Sequence, residues 1–318
     1  MIPAPRNILV SYHYYRKYDL DKLDGLTIIG DSGAYSARTT GAEITNAELV
    51  TWINRWRHRL CWAACMDVSG NPMLTRDNWN ALLDAGIPAV STIHMGTHPS
   101  EMDYYAERGV DFLGLGGMAG GVTPFPARMR WLISVFRYAR QNHPQMRFHG
   151  WGVSSDVAMQ LPFYSIDSSG WASAYLYGRV ALRDPASGKD YNVALDGKGV
   201  YSPEVAFLLR DHYGVNPSDV SRSRSGNRKL IVRLAALSAS VQEQRLRKLH
   251  RGSNITRPMW GRLAPAPAVG PNQHLVFVHG DLDTLLEMTG PMSHLVDGHP
   301  GHLELIAGLA RNEDAHAK

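Results

Sequence analysis

The sequence predicts an α/β fold and, within that class, a TIM-type (β/α)8 barrel with a basic, mostly helical C-terminal extension. Three observations predict it. Short apolar segments rich in Ile, Val, Leu and aromatic residues recur along the first 170 residues. These segments lack the strict alternation of half-exposed antiparallel strands, which is typical of parallel strands buried on both faces. Helical patterns separate them, and the number of repeats favours a barrel over an open sheet.

Seven strands are predicted before residue 170, and four helices are predicted between them. The strands are Asn7–Tyr12, Leu26–Asp31, Leu60–Asp67, Ile87–His94, Asp111–Gly117, Met146–Gly152 and Phe163–Asp167. The helices are Ala47–Arg57, Arg76–Asp84, Ser100–Arg108 and Pro126–Asn142. Gly86 and Gly109 follow the second and third helices, where glycine commonly ends a helix.

The pattern changes after residue 170. Two short apolar segments, Val180–Asp184 and Tyr191–Leu195, flank Pro185-Ala-Ser-Gly188 and predict a β-hairpin. Residues Ser202–Tyr213 predict a helix, because Ser202 suits the N-cap and Pro203 suits the first helical position.

The C-terminal part has fewer regular patterns. Four prolines in Pro258–Pro271 indicate a linker, Leu275–His279 is one candidate for the eighth strand, and Gly301–Arg311 predicts a helix. We therefore expect a catalytic barrel region in residues 1–200. Residues 201–318 form the expected helical and basic extension, which completes the barrel.

Composition excludes several classes of protein. The 318 residues include 33 Lys and Arg against 29 Asp and Glu, a net charge of +4, and 44% are hydrophobic, which argues against a disordered chain. The two cysteines, Cys61 and Cys65, argue against a disulfide-rich secreted scaffold and favour a reducing compartment. No apolar run reaches the ~18 residues of a membrane helix, and the N-terminus does not resemble a signal peptide. We expect a cytoplasmic protein without a membrane partner.

Polar and glycine-rich positions gather where the predicted strands end. In a β/α barrel the active site lies at the carboxyl ends of the strands. Converging carboxylates at such an edge suit acid–base and nucleophilic chemistry, and glycines let the backbone approach a flat ligand. A single Asp after a strand is more often only a helix N-cap, so the prediction depends on the whole set. The set is Asp31, Asp67, His94, Gly116, Gly117, Met118, Trp151, Gly152 and Asp167.

Four motifs in this set resemble those of the tRNA-guanine transglycosylase family, in that family's order. Asp31-Ser-Gly-Ala-Tyr35 resembles its Asp-Ser-Gly-Gly-(Phe/Tyr) motif, and Gly116-Gly-Met-Ala119 resembles its Gly-Gly-Leu-Ala turn. Trp151-Gly-Val153 is similar to its Met-Gly-Val-Gly loop, and Ser165-Ile-Asp167 to the Phe-Asp segment of its nucleophile. The resemblance covers roughly residues 7–195, and the ordered set is more specific than any one motif.

The resemblance implies exchange of a guanine in a nucleic acid for a free 7-deazaguanine base. Asp167 would be the nucleophile that forms a covalent glycosyl-enzyme, and Asp31 the general acid and base, which agrees with retaining two-carboxylate chemistry. The base-binding residues it implies are Asp67, His94 in place of the usual Gln, backbone groups of Gly116, Gly117 and Met118, and the aromatic rings of Tyr35 and Trp151.

Two departures from the family change the expected substrate. Bacterial tRNA enzymes carry a Glu after the Gly-Gly turn that binds a cationic aminomethyl group, whereas this chain has Val122, so we expect a neutral substituent such as a nitrile (preQ0-like). The family's zinc-binding cysteines follow its nucleophile, but this chain has no cysteine after Cys65. We expect no metal and no cofactor. The sequence looks more like the DNA-modifying branch found in bacteriophages and bacterial genomic islands.

A basic segment, Arg222–Arg251, supports a nucleic-acid partner. It contains nine Lys and Arg and one acid, Glu243. Such residues would bind phosphates, and a duplex guanine would have to be flipped out of the stack. A solvated basic helix is the competing interpretation. The nine residues are Arg222, Arg224, Arg228, Lys229, Arg233, Arg245, Arg247, Lys248 and Arg251.

Several alternative functions stay open. The chain could act on tRNA instead of DNA, or it could be a catalytically silent nucleic-acid-binding barrel. Gly30-Asp-Ser-Gly33 matches a serine-protease signature, but no partner motif for the His and acid is recognisable. A sugar glycosidase would also use paired carboxylates, without needing the basic segment. The C-terminal histidines, including His274, His279, His294, His299 and His302, are weak candidates for a metal site.

Overall fold

The chain folds as an α/β protein in a computed structural model, which confirms the predicted class. The structure describes residues 2–118, 124–153, 160–168, 178–195, 201–220, 227–251, 255–263 and 273–277. Eight strands form one sheet: β1 Asn7–Ser11, β2 Thr27–Asp31, β3 Leu60–Ala63, β4 Thr92–His94, β5 Phe112–Gly116, β6 Arg147–Gly150, β7 Ser165–Ser168 and β10 Gln273–Phe277. Two more strands, β8 Arg179–Arg183 and β9 Asp190–Ala194, form an antiparallel hairpin, as predicted.

All pairings in the eight-stranded sheet are parallel. The order is β3-β2-β1-β10-β7-β6-β5-β4. Strand β10 lies between β7 and β1 and overlaps the predicted Leu275–His279 strand. Strands β3 and β4 stand at the two ends of this order. Ala64, just after β3, forms a parallel bridge with Val90, which precedes β4. The amide of Val90 donates to the carbonyl of Ala63 at 2.8 Å.

The described helices include the five predicted between residues 47 and 213, with shifted ends, and two after β1 and β2 that were not predicted. They are α1 Tyr12–Tyr15, α2 Ala34–Thr40, α3 Asn46–Arg55, α4 Pro72–Asp84, α5 Glu101–Ala106, α6 Phe125–Asn142, α7 Pro203–Phe207 and α8 Arg228–Leu249. Helix α4 begins four residues before the predicted Arg76, because the Asn71 side chain accepts from the Leu74 amide and Pro72 suits the first position. Of the helices that the structure describes, none combines the length and apolar character needed to cross a bilayer.

Side chains from several strands of the sheet meet in one apolar cluster. Leu9, Ile29, Trp62, Val90, Phe112 and Tyr164 are all buried there. The two cysteines lie in or against the core, as expected for thiols without a zinc role. Cys65 is fully buried, and Cys61 packs against the cluster. Burial raises the pKa of the Cys65 thiol to about 12.

The described residues form two compact units that alternate along the chain. Residues 7–168 and 246–277 make one unit, which contains the eight-stranded sheet. The second unit contains residues 2–6 and the described parts of 169–245, including the β8–β9 hairpin. The transitions near residues 168 and 245 differ from the expected boundary at residue 200, and the expected roles of residues 1–200 and 201–318 stay predictions.

The segment Ile255–Leu263 is packed, so interpreting its proline-containing part as a linker was wrong. The Asp111 carboxylate, just before β5, accepts from the amides of Met259 and Trp260, each at 2.8 Å. The Trp260 indole donates to the carbonyl of Ala89 at 3.1 Å, and the Leu263 amide donates to the carbonyl of Cys61 at 3.0 Å. Pro258 is compatible with this path because the hydrogen bonds come from other residues, whereas residues 264–271 of the predicted linker lie outside the described residues.

Helix α8 contains most of the described part of the basic segment, and it is amphipathic. One face is buried through Ile231, Val232, Leu234, Ala236 and Val241. The buried face does not decide between phosphate binding and the competing interpretation, a solvated basic helix, and both stay predictions. The helix is part of the core and carries its basic residues outside that face.

Candidate active site

The predicted site residues lie at the carboxyl ends of the parallel strands. Asp31 ends β2, His94 ends β4, Gly116 ends β5 and Asp167 lies in β7, while Asp67 follows β3 by four residues. Because parallel strands present their carboxyl ends at one edge of the sheet, these five residues, from β2, β3, β4, β5 and β7, contribute to the same place. The sequence placed these residues correctly.

Asp31 is a half-buried carboxylate with an altered acidity. Its Oδ2 accepts from the Gly33 amide at 3.0 Å. Burial, together with the negative charges of Asp67 and Asp167, raises the pKa of Asp31 to about 7, against the opposing influence of the Ser11 side chain and the Gly33 amide. The electrostatic effect requires that the three aspartates lie near one another.

Gly33 positions the backbone that holds Asp31. Its φ of +75° is left-handed, and a Cβ there would lie 2.5 Å from the Cβ of His13. Tyr35 lies in the first turn of α2, and its side chain is 57% exposed. The Arg38 guanidinium lies 5.7 Å from the centroid of its ring. Its position at the rim is compatible with the predicted stacking role.

Ser32 does not have the surroundings of a protease nucleophile. It is buried, and its hydroxyl accepts from the Ala34 amide at 3.3 Å. This contact is a local turn at the start of α2. The residues of the Gly30-Asp-Ser-Gly33 signature therefore form the turn after β2, and this accounts for the match to the protease motif.

Asp67 and His94 form a close pair. The His94 Nε2 lies 2.5 Å from Oδ2 of Asp67, and His94 is buried while the Asp67 side chain is 29% exposed. An ionised carboxylate only accepts, so Nε2 carries the proton. The predicted donation from His94 to a base carbonyl would therefore have to compete with Asp67.

Gly116 ends β5 next to this pair, and Gly117 and Met118 follow it. A Cβ at Gly116 would lie 2.8 Å from Thr92 Cγ2 and 3.1 Å from His94 Cδ2, so Gly116 makes room for the imidazole. A Cβ at Gly117 would lie 2.9 Å from that of Met95. The Met118 carbonyl already accepts from Arg128 Nη1 at 2.6 Å, a contact that the predicted base-binding role did not foresee.

Asp167 has different partners from Asp31. It is buried, and its Oδ1 accepts from the Gly152 amide at 2.8 Å and lies 3.3 Å from His149 Nε2. The other ring nitrogen, His149 Nδ1, lies 2.8 Å from the Ser165 hydroxyl. Burial lowers the pKa of His149, against the opposing influence of the Asp167 carboxylate.

Trp151 packs beside His149. The ring centroids are 4.2 Å apart at 70°, and Trp62 contacts both rings edge-on. The Trp151 indole donates to Thr92 Oγ1 at 3.0 Å, and Gly114 provides its space, since a Cβ there would lie 2.1 Å from Nε1. Its stacking on a base stays a prediction, but the indole also has a packing role.

Sequence reasoning missed His149 and Ser11 as functional residues. His149 was visible as a polar residue inside the predicted strand Met146–Gly152, which also contains Arg147. Ser11 pairs with Asp31 in the β1–β2 register, which the sequence does not specify. Both are fully buried polar residues, a combination that ordinarily requires hydrogen-bond partners.

The described basic residues of the C-terminal segment are exposed. The exposed residues are Lys229, Arg233, Arg245, Arg247, Lys248 and Arg251. The Nη1 atom of Arg245 also donates a hydrogen bond to the Gly188 carbonyl at 3.1 Å. Outside the described residues lie Arg222, Arg224, the side chain of Arg228, Val122 and most of the C-terminal histidines, together with the predicted Gly301–Arg311 helix.

Within the described ranges, no three His, Cys, Asp or Glu side chains come together in a way that could hold a metal ion. No protein-family model matches this chain, and no curated protein matches its sequence. The arrangement itself therefore carries the functional argument. It brings three carboxylates, one of them with a pKa near neutrality, to one edge of a parallel sheet.

Proposed function

We propose that this protein is a nucleic-acid transglycosylase that replaces a guanine in DNA with a free 7-deazaguanine base. The observation that carries the proposal is the grouping of Asp31, Asp67 and Asp167 at the carboxyl edge of the sheet, in two different kinds of surroundings. Retaining glycosyl transfer needs one carboxylate as the nucleophile and a second that exchanges a proton.

We further propose that the eight strands close into a (β/α)8 barrel. The strand order follows the chain from β1 to β3 and from β4 to β7, with β10 in the position of the eighth strand. The Ala64–Val90 bridge joins the two segments at the ends of this order. A shared cluster of buried side chains from β1, β2, β3 and β5 also supports closure.

In the first step, the Asp167 carboxylate attacks the sugar C1′. A C1′–O bond forms as the C1′–N9 bond breaks, and the bonding electrons leave with the guanine. Asp31 donates a proton to that base. A pKa of about 7 keeps a substantial fraction of Asp31 protonated at neutral pH, which general acid catalysis requires.

In the second step, the incoming base reverses these changes. Its N9 attacks C1′ and gives its proton to the Asp31 carboxylate, while the C1′–O bond breaks and Asp167 is released. Both steps invert C1′, so the configuration of the sugar is retained. Free guanine leaves and the enzyme returns to its original protonation state.

Base recognition would use the polar groups beside these carboxylates. Asp67 offers acceptor oxygens to the N–H groups of a guanine-like base, and its bond to His94 fixes its orientation. Tyr35, at the exposed rim, would stack on the base. The proposal keeps the neutral 7-substituent expected from Val122.

Two features support DNA as the polymer. The exposed basic residues of α8 suit phosphate contacts that do not depend on sequence. The chain also lacks cysteines after Cys65, unlike the zinc-containing tRNA enzymes that its motifs resemble. The target guanine would have to leave the base stack to reach buried Asp167.

The test is base exchange in matched nucleic acids. The purified protein is incubated with guanine-containing DNA, or with tRNA, and free 7-cyano-7-deazaguanine, and nucleosides are then quantified by mass spectrometry. We expect the modified deoxynucleoside in DNA and none with Asp167→Ala. Modification of tRNA alone would overturn the choice of polymer, and no exchange in either would overturn the proposed activity.

A further inference from the structure

The buried network behind Asp167 extends from a strand hydroxyl through an imidazole to the carboxylate. Ser165 and Asp167 project from the same face of β7, since they are two residues apart, and His149 faces both from β6. The distances are 2.8 Å from Ser165 Oγ to Nδ1 and 3.3 Å from Nε2 to Asp167 Oδ1. His149 has 0% exposure, so solvent does not supply alternative partners.

The chemistry of the three groups fixes the direction of these hydrogen bonds. An ionised carboxylate can only accept, so His149 Nε2 carries a hydrogen. Burial lowers the pKa of His149 and favours the neutral ring, which leaves Nδ1 as an acceptor. The Ser165 hydroxyl, a donor as well as an acceptor, then donates to Nδ1.

The network does not form a serine-hydrolase triad. Ser165 is only 1% exposed, and its hydroxyl is occupied at the end of the network farthest from the carboxylate. A nucleophilic serine must reach its substrate, and in a triad the serine contacts Nε2 and the acid contacts Nδ1, which is the reverse of the contacts here. The carboxylate, next to the Gly152 turn, is the reactive end here.

The imidazole is held firmly enough to orient the carboxylate. Trp151 and Trp62 pack against it with ring centroids at 4.2 and 5.1 Å. The described hydrogen bonds to the Asp167 carboxylate, from Gly152 and His149, both use Oδ1. Two donors on one oxygen restrict rotation of the carboxylate and distinguish Oδ1 from Oδ2.

We propose that His149 is a positioning residue that stays neutral, with hydrogen on Nε2, and aims Oδ2 of Asp167 at the sugar C1′. This inference rests on the proposed transglycosylase function, because it assigns how that nucleophile is held. It predicts that loss of the His149 donor slows formation of the covalent bond without weakening binding of DNA. A displacement of the nucleophile by about 1 Å can cost about 10²-fold in rate.

The experiment compares His149→Leu and His149→Gln in single-turnover formation of the covalent adduct, with DNA affinity measured separately. We expect His149→Leu to react about 10–100-fold more slowly, with oligonucleotide affinity within about twofold of the wild type. The amide of Gln can still donate to Asp167, so His149→Gln should react at least about threefold faster than His149→Leu. His143→Gln is the matched control, because His143 pairs with Asp103 at 2.6 Å away from this edge.

Three outcomes would overturn the inference: wild-type rates in His149→Leu, a loss confined to DNA affinity, or no difference between the Leu and Gln variants. If His149→Leu does not fold, nitrogen NMR of the wild-type histidine settles the question, since a neutral ring with hydrogen on Nδ1, or an imidazolium at pH 7, contradicts it. A wild-type protein that exchanges no base in any nucleic acid would instead remove the proposed function.

Discussion

The surroundings of Asp31 and Asp167 differ in ways that suit the two chemical roles proposed for them. Asp31 is half-buried and faces two other negative charges, with a pKa raised to about 7. Asp167 is more deeply buried, but two N–H groups donate to its Oδ1. The surroundings of Asp31 thus favour its protonated form, whereas the carboxylate of Asp167 accepts two hydrogen bonds. Such a difference is how neighbouring carboxylates become acid and nucleophile.

The strongest test of this difference is removal of the nucleophile. Asp167→Asn keeps the shape of the side chain but removes its charge, so we expect base exchange to fall by about 10³-fold or more. Asp167→Ala guards against slow deamidation of the Asn. Exchange by both variants at more than a tenth of the wild-type rate would show that Asp167 is not the nucleophile.

Replacing the proton donor should have a smaller effect and a distinctive pH dependence. We expect Asp31→Asn to slow guanine release by about 10²–10⁴-fold. Because Asp31 must be protonated to act as the acid, single-turnover release by the wild type should fall as pH rises through about 7. Rates measured from pH 5.5 to 8.5 check this. A wild-type profile that is flat across pH 7 would contradict the assignment.

The raised pKa of Asp31 also predicts a stability effect that does not depend on the function. Between about pH 4 and 7, the folded protein holds a proton that the unfolded chain releases, so Asp31 lowers stability as pH rises through this window. At pH 8, Asp31→Asn should increase the free energy of unfolding by about 1–4 kcal/mol. The gain should vanish near pH 3, where both states are protonated. Urea unfolding at the two pH values measures it, and an equal effect at both would be inconsistent with ionisation.

Gly114→Ala disturbs the packing beside His149, on the Asp167 side of the site. Its new Cβ would lie 2.1 Å from Trp151 Nε1, so the indole must move away from Thr92 and disturb His149. We expect the free energy of unfolding to fall by about 1–3 kcal/mol. The activity should fall by more than the fraction of unfolded protein accounts for. Gly86→Ala, where a Cβ meets nothing within 4 Å, serves as the control for added backbone strain, because its φ is +74°. Equal activities of the two folded variants would remove the proposed link.

The smallest effect is expected at the exposed basic residues of α8. Arg247→Ala and Lys248→Ala each remove one exposed positive charge of α8. If these residues bind phosphate, each change should weaken DNA binding about equally for all sequences and lower the salt slope by about one. Titrations at several salt concentrations measure both quantities. Unchanged slopes would show that this helix does not contact the DNA.

Much of the sheet and the carboxylate edge could be predicted because each depends on local pattern. Buried parallel strands are continuous apolar runs, and polar residues at their ends stand out against them. The pairing of His94 with Asp67 and of His149 with Asp167 could not be predicted. The two residues of each pair are 27 and 18 positions apart in the sequence, and they meet only because neighbouring segments of the sheet align in a particular register. The described part of the predicted linker Pro258–Pro271, which ends at Leu263, was misinterpreted because prolines indicate a linker only where the chain makes no tertiary hydrogen bonds.

The central claim, that Asp167 forms the covalent bond while Asp31 moves the proton, can be measured most directly by mass spectrometry. The protein is mixed with a short guanine-containing DNA, quenched in denaturant within one turnover, digested and analysed. The account predicts a sugar-linked adduct on the peptide containing Asp167, absent in Asp167→Asn and slow to form in Asp31→Asn. An adduct on another residue, or equal labelling of wild type and Asp167→Asn, would contradict it.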